Sequence, residues 1–379
     1  MKRYKIAIVS DSYLPKVGGL EVHMHDLAHE LTLRGHEAHV ICVAPGGPDR
    51  EIFPVHRIPA PLLPRIGCIR NGQSIPVLEE LLRSGGYDVV HSHCIFSPLG
   101  HAAAHLARKL QLPSVFTLHS VLRGLGGMAM RLIDQVYPWS SWPTVLTGVS
   151  TFVADELRAV SGRQVQVLLN ATRTEDWKLP RREEQRVVSV LRFSKRKRPL
   201  DLVHMVPKVL ARLPREQWPV FTLVGDGPER PRVERAAVRL GVREHIEFTG
   251  VLARPQIQQL LARSAVFALP SYLEALPIAV IEARSAGLPV VARTPNGVAE
   301  IIDHGEQGYL APNTAAFVDS LVKLLGDKEL RLEMSAKTQL QLDRFTWPRS
   351  IERHLRVYAE ALSRAGERSY SPQPYRRAA

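Results

Sequence analysis

The chain has 379 residues, 45% hydrophobic and 23% charged, and its 50 Lys and Arg against 37 Asp and Glu give a net charge of +13. That length predicts two or three globular domains of roughly 100–200 residues each, and no run approaches the roughly 18 apolar residues of a membrane span. No secretory signal is evident at the start, Cys42, Cys68 and Cys94 lack metal or redox spacing and fit reduced thiols in the cytoplasm, and the positive charge calls for an anionic partner, with nucleic acid disfavoured because no nucleic-acid motif occurs.

Strand patterns fall at residues 6–10, 38–43, 88–92, 115–118, 145–149 and 165–169, with helical patterns at 20–34, 97–110 and 151–160. Short apolar strands alternating with amphipathic helices predict a mainly parallel sheet covered on both faces. A polar stretch, 173–186, reads as a linker. The alternation then restarts with strands at 187–191, 221–224, 246–249, 266–269 and 290–292. The fold class is therefore α/β, two doubly wound Rossmann-like domains with a cleft between them. We expect domains at 1–172 and 173–346. The apolar face of a C-terminal helix, 347–364, would dock back on the first domain, and 366–379 would form a disordered basic tail.

Several turns carry chemistry. The loop after the first strand holds Gly18 and Gly19 before a helix start, followed by Glu21. Backbone N–H groups at a helix N-terminus suit an anion. The loop lacks the G-x-G-x-x-G fingerprint, which disfavours a nicotinamide enzyme. Gly225 and Gly227 form a second such turn, or a plain tight connection. Asn296-Gly297 is a weaker signal. Arg192, at a strand end, and Lys197, five residues on, can clamp a diphosphate, the arginine by its fork and the lysine as a point charge; the alternative is a solvated basic loop. Glu274 lies in a loop after a buried strand. Glu282 lies in an otherwise apolar helix, residues 278–286, with Pro277 in its first turn. Two acids beside a helix start suit a ligand rich in hydroxyls, and on spacing alone an ordinary loop charge and a solvated helix residue fit equally well. No Asp-x-Asp occurs. His91 and His93, with His101, His105 and His119, read as structural or substrate-contacting residues, so no metal or other cofactor is expected.

In their joint order these residues resemble glycosyltransferase family 4, the retaining transferases of the GT-B fold, over nearly the whole chain to about residue 362. Arg192 and Lys197 match the Arg-x4-Lys clamp, and Glu274 and Glu282 match Glu-x7-Glu. Gly18, Gly19 and Glu21 match Gly-Gly-x-Glu, Gly225 and Gly227 match Gly-x-Gly-Pro, and Asn170 matches the asparagine before the linker. The histidine-bearing segments 90–97 and 115–120 look most like the branch that holds the phosphatidylinositol N-acetylglucosaminyltransferase catalytic subunit and its prokaryotic relatives. Arg198 replaces the usual glycine after the clamp lysine, and Leu276-Pro277 replaces the common Phe-Gly.

The resemblance implies retaining transfer of a hexose or N-acetylhexosamine from a nucleotide diphosphate sugar to a hydroxyl acceptor. Catalytic residues would be Arg192, Lys197, His119 and Glu274. The donor would meet Gly18, Gly19, Gly225, Gly227, Glu282, Leu276, Pro277 and Ile278. Glu21, His93 and Asn170 would lie on the acceptor side. The basic charge and the apolar stretches 62–66 and 122–130 point to a lipid-linked acceptor and to a cytoplasmic protein held peripherally at an anionic membrane. A nucleotide-sugar epimerase and a non-catalytic sugar-binding homologue remain as alternatives.

Overall fold

The computed structural model describes residues 2–16, 18–43, 45–46, 51–59, 74–93 and 97–369. The apolar stretch 62–66, Cys68, Cys94 and residues 370–379 of the basic tail lie outside the described residues. The chain forms two compact units, Met1–Asn170 with Trp347–Ala379, and Ala171–Thr346.

The first unit is built on seven parallel strands, β1 (Lys5–Val9), β2 (Glu37–Cys42), β3 (Val55–Arg57), β4 (Val89–His93), β5 (Ser114–Leu118), β6 (Val145–Gly148) and β7 (Gln166–Val167), in the order β3-β2-β1-β4-β5-β6-β7. Its helices include α1 (Gly19–Leu33), α2 (Ser74–Ser84), α3 (Pro98–Lys109), α4 (Leu125–Val136) and α5 (Thr151–Ser161). Helices cover both faces of such a sheet, so its central strands carry near-continuous apolar runs; Ile6, Ala7, Ile8 and Val9 are all fully buried. Ser97 starts α3 by accepting the Gly100 N–H, with Pro98 in the first turn, and Ser150 does the same for α5 through Val153.

The second unit has six parallel strands, β8 (Arg186–Val190), β9 (Val220–Val224), β10 (Ile246–Gly250), β11 (Val266–Leu269), β12 (Val290–Arg293) and β13 (Gly308–Ala311), in the order β10-β9-β8-β11-β12-β13. Around them lie α6 (Pro199–Leu210), α7 (Arg230–Arg239), α8 (Arg254–Arg263), α9 (Ile278–Ser285), α10 (Thr314–Gly326) and α11 (Lys328–Thr338). Val187, Phe221, Val266 and Val291 pack with Leu202, Val206, Phe317 and Leu321 in one core. The chain then returns to the first unit as α12 (Trp347–Ser369), which packs on α1, β4, β5 and β6. Among the described residues no helix is long and apolar enough to cross a membrane.

Three local expectations change. The stretch 173–186 is not a free linker: Trp177 is buried under the Arg254 guanidinium, 5.2 Å from its ring centre, and Arg181 donates to the Ser264 carbonyl at 2.8 Å and to the Gly287 carbonyl. Pro277 sits one residue before α9 with extended backbone (φ −74, ψ 111), as its N-cap rather than in its first turn. Edge strands β3 (VHR) and β13 (GYLA) join the sheets; neither carries the continuous apolar run that marks the buried strands.

Candidate active site

Both sheets have the doubly wound order, which reverses between β1 and β4 in the first unit and between β8 and β11 in the second. Ligands of such sheets bind outside the carboxyl ends of the strands at the reversal. The charged motif residues of the second unit stand at that place. Arg192 and Lys197 follow β8, and Glu274 follows β11. The Lys197 ammonium meets both carboxylate oxygens of Glu274, at 2.7 and 2.8 Å. Glu274 is buried at 4% exposure, while the Lys197 side chain keeps 23%. Arg192 is exposed and has no ion pair among the described residues.

Backbone constraints hold this pair. Gly225 and Gly227 have φ of 128° and 154°, and a Cβ on either would overlap the carbonyl oxygen of Leu191 or of Phe193. The glycines therefore let the turn after β9 lie directly against the segment that carries Arg192, and the Phe193 N–H bonds the Asp226 carbonyl at 2.9 Å. The Glu274 loop is fixed from the other side by Asn296. Its amide donates to the carbonyls of Ser271 and Tyr272 (both 3.3 Å) and of Arg293 (3.0 Å), and its oxygen accepts the Val298 N–H at 2.9 Å. The Gly297 N–H bonds the Glu274 carbonyl at 2.9 Å, and Ser271 Oγ donates to the Lys197 carbonyl at 3.2 Å. Asn296-Gly297, a weak signal in the sequence, is the loop's main anchor. Leu276 and Pro277 are buried beside it, and Ile278 and Glu282 are half-buried on α9.

In the first unit the loop after β1 closes on itself. Glu21, 6% exposed, accepts the Ser12 hydroxyl at 2.5 Å and lies 3.5 Å from the Lys16 ammonium. A Cβ on Gly18 would collide with this carboxylate, and Gly19 opens α1. Asp11 accepts the Leu99 N–H at the start of α3 at 2.8 Å, and burial raises its pKa to about 6. Asn170 is buried at the end of the unit.

The densest chemistry in this unit is a group of buried histidines that no single sequence segment displays. His91 and His93 lie on one face of β4, two residues apart, facing Thr117 and His119 of the next strand and its end. His91 Nε2 is 2.7 Å from Thr117 Oγ1, and His93 Nδ1 is 2.9 Å from His119 Nε2. His23 of α1 and His354 and Tyr358 of α12 complete the group, with Tyr358 Oη 2.9 Å from His91 Nδ1. His93 is fully buried; His119 is half-buried. Desolvation lowers every imidazole here: His119 falls to about 3 and His23, His91 and His93 well below the usual range, with neighbouring histidines adding to it, and His354 falls to about 4, with the Arg353 charge adding to it. Among the described residues no group of three or more His, Cys, Asp or Glu side chains is arranged to hold a metal ion.

Two parallel doubly wound sheets with charged residues at the switch points define the class: the solved structures that this chain resembles are GT-B glycosyltransferases. Anabaena HepE in complex with UDP and glucose superposes with a TM-score of 0.78 at 20% identity, covering 94% of this chain and 100% of that one. WaaG, a glycosyltransferase involved in lipopolysaccharide biosynthesis, superposes with a TM-score of 0.68 at 19% identity, covering 97% and 100%. The model of Glycosyltransferase Family 4 matches residues 17–176, and that of glycosyl transferases group 1 matches 172–341. The chain belongs to glycosyltransferase family 4. It is 25% identical to a subunit of the human phosphatidylinositol N-acetylglucosaminyltransferase over 86% of this chain and 69% of that protein. It is 26% identical to a Mycobacterium tuberculosis glycogen synthase over 98% and 97%. It is 24% identical to the Bacillus anthracis N-acetyl-alpha-D-glucosaminyl L-malate synthase over 92% and 95%.

Proposed function

We propose that this glycosyltransferase moves a hexose or N-acetylhexosamine from a nucleotide diphosphate sugar to a hydroxyl, with retention and without a metal. The observation that carries the reading is the Lys197–Glu274 pair at the β8/β11 switch point, beside the exposed Arg192. In the ligand-free chain each partner neutralises the other. A diphosphate drawn to Arg192 would take over the lysine, leaving Glu274 to accept from a sugar hydroxyl. The two cations would then stabilise the charge that grows on the leaving diphosphate. Glu282 of α9 would accept from the ribose, and Gly225 and Gly227 would line the donor. With no carboxylate assigned as nucleophile, the acceptor would attack from the leaving group's face, and the departing phosphate would take its proton. The similar structures solved in complex with UDP and with UDP-glucose support a nucleotide sugar as donor.

Thermal-shift titration with UDP-, GDP- and ADP-sugars identifies the base, because a ligand of the native state raises its stability. NMR of the product then reads the anomer: retention supports the reading, inversion overturns it. Turnover that survives exhaustive chelation supports the metal-free part; loss restored by a divalent cation overturns it.

For the acceptor we propose a lipid-linked molecule at an anionic membrane surface, with the protein docked peripherally from the cytoplasm. The structure alters which residues support this. Leu122 and Met130 are buried at 2% and 1% exposure, whereas Met128, Leu132 and Ile133 of α4 are exposed at 59%, 60% and 45%, next to Arg123 and Arg131. An apolar stripe flanked by cations is suited to lie in a bilayer interface. Co-flotation with anionic but not neutral vesicles, lost in a Met128→Ser/Leu132→Ser variant, is the expected result; equal behaviour of the variant and the parent contradicts it.

A further inference from the structure

The geometry points to His93 as a positioning residue that holds His119 in its Nδ1–H form, so that His119 turns a hydrogen-bond donor, not a base, toward the substrate. This rests on the catalytic role that the family resemblance implies for His119.

The inference follows from counting protons in the buried group. His93 Nδ1 and His119 Nε2 are 2.9 Å apart, so one of them carries the shared hydrogen. His93 Nε2 is buried and has no partner. If His119 donated, the neutral His93 would carry its own proton on Nε2 and leave an N–H orphaned in the core. If His93 donates through Nδ1, Nε2 is left as a lone pair instead. Orphaned buried N–H groups are the rarer defect, so the second arrangement is favoured. It places the His119 proton on Nδ1, the ring nitrogen with no bond among the described residues. Which ring nitrogen of a histidine is protonated is set by the bond that the other one makes.

The surroundings fix His93 in turn. Its ring lies 4.1 Å, centre to centre, from that of His91. The tautomer of His91 is set by a chain of donors: Tyr358 Oη to His91 Nδ1, His91 Nε2 to Thr117 Oγ1 (2.7 Å), Thr117 to Thr147 Oγ1 (2.6 Å), and Thr147 to the Phe116 carbonyl (3.3 Å). Among the described residues the titratable groups recorded against His119 are imidazoles, His23 from α1, His91 and His93 from β4 and His354 from α12. None offers a negative charge to a second proton. The family resemblance assigns Glu21, Asn170 and His93 alike to the acceptor side; His93 is fully buried and acts, on this inference, only through His119.

The test uses the whole protein labelled with ¹⁵N-histidine. Long-range ¹H–¹⁵N spectra at pH 7.5, with His119 assigned by its loss in His119→Ala, are expected to show a neutral Nδ1–H ring that does not titrate between pH 8 and 5.5. An Nε2–H ring, or a titrating one, overturns the inference. Turnover is read with whichever of UDP-glucose, UDP-N-acetylglucosamine or their GDP and ADP counterparts the protein consumes. Removing a transition-state donor costs about 100- to 1,000-fold, the loss expected in kcat for His119→Ala. His93→Leu should lower kcat by about tenfold with donor KM held within about twofold, and His93→Asn, whose amide can donate from the Nδ1 position, should restore most of it. Full kcat in His93→Leu beside a crippled His119→Ala overturns the positioning role. An unimpaired His119→Ala overturns the site reading instead, while the spectra still decide the tautomer.

Discussion

Acidification should unfold the first unit before the second. The perturbation is a shift from pH 7.5 to 5.0, acting on His23, His91, His93, His119 and His354. Burial depresses all five, and the two with assigned values, about 3 and about 4, stay neutral in the folded state at pH 5. In the unfolded chain the same side chains titrate near the ordinary 6.5. Below that value the unfolded state binds more protons, so stability falls as pH falls through the window from 6.5 toward the folded values. Each such histidine forfeits about 1.36 kcal/mol per pH unit, or ~2 kcal/mol between 6.5 and 5.0. His119 and His354 alone give ~4 kcal/mol, against a typical domain stability of about 5–15 kcal/mol, and the lowered His23, His91 and His93 act in the same direction. The assay is urea unfolding at the two pH values, with amide exchange followed in α12, β4 and β5. Protection factors in those elements, corrected for the slower intrinsic exchange at pH 5, should fall, while those in β8 and β11 hold. Equal stability at the two pH values, or earlier opening of the second unit, would refute the reasoning.

Other consequences are more local. Gly227→Ala forces a Cβ into the Phe193 carbonyl at a φ of 154°; a loss of about 1–3 kcal/mol in urea unfolding is expected, together with weaker nucleotide binding because the Arg192 segment shifts. Asn296→Ala removes the two contacts that reach the Glu274 loop, to the carbonyls of Ser271 and Tyr272; at roughly 1 kcal/mol per bond lost it should reduce kcat/KM for the donor by about tenfold to thirtyfold, and an unchanged value would mean that the loop is held elsewhere. Tyr358→Phe strips the donor from His91 Nδ1 inside the core; a stability loss of about 1–3 kcal/mol should appear in thermal or urea unfolding.

The sheets were legible because parallel strands buried on both faces write continuous apolar runs, as in residues 6–9 and 266–269. Edge strands β3 and β13 were not, since Val55-His56-Arg57 and Gly308-Tyr309-Leu310-Ala311 interrupt the apolar run with polar residues or glycine. The charged motifs were legible as spacing, but the direct bond between Lys197 and Glu274 was not. It depends on β8 and β11 being neighbours, a fact of topology 77 residues apart in sequence. Asn296 was undervalued because an Asn-Gly pair also marks an ordinary turn, and only the converging carbonyls of Ser271, Tyr272 and Arg293 reveal its work. The histidine group was half visible: residues 91 and 93 announce a shared strand face, but His23 and His354 come from helices far apart in the chain. The segment 173–186 looked like a linker from its charge, yet Arg181 finds carbonyl partners contributed by residues 264 and 287.

Isothermal titration of UDP, GDP and ADP into the wild-type chain and into Lys197→Ala and Arg192→Ala tests the account most directly, since it needs no acceptor. One of the three nucleotides should bind, and each substitution should weaken it about tenfold to a hundredfold, the loss of a charge-assisted bond of roughly 1.5–3 kcal/mol. Binding of none of them, or an affinity indifferent to both substitutions, would contradict the assignment of the β8/β11 switch point as the donor site.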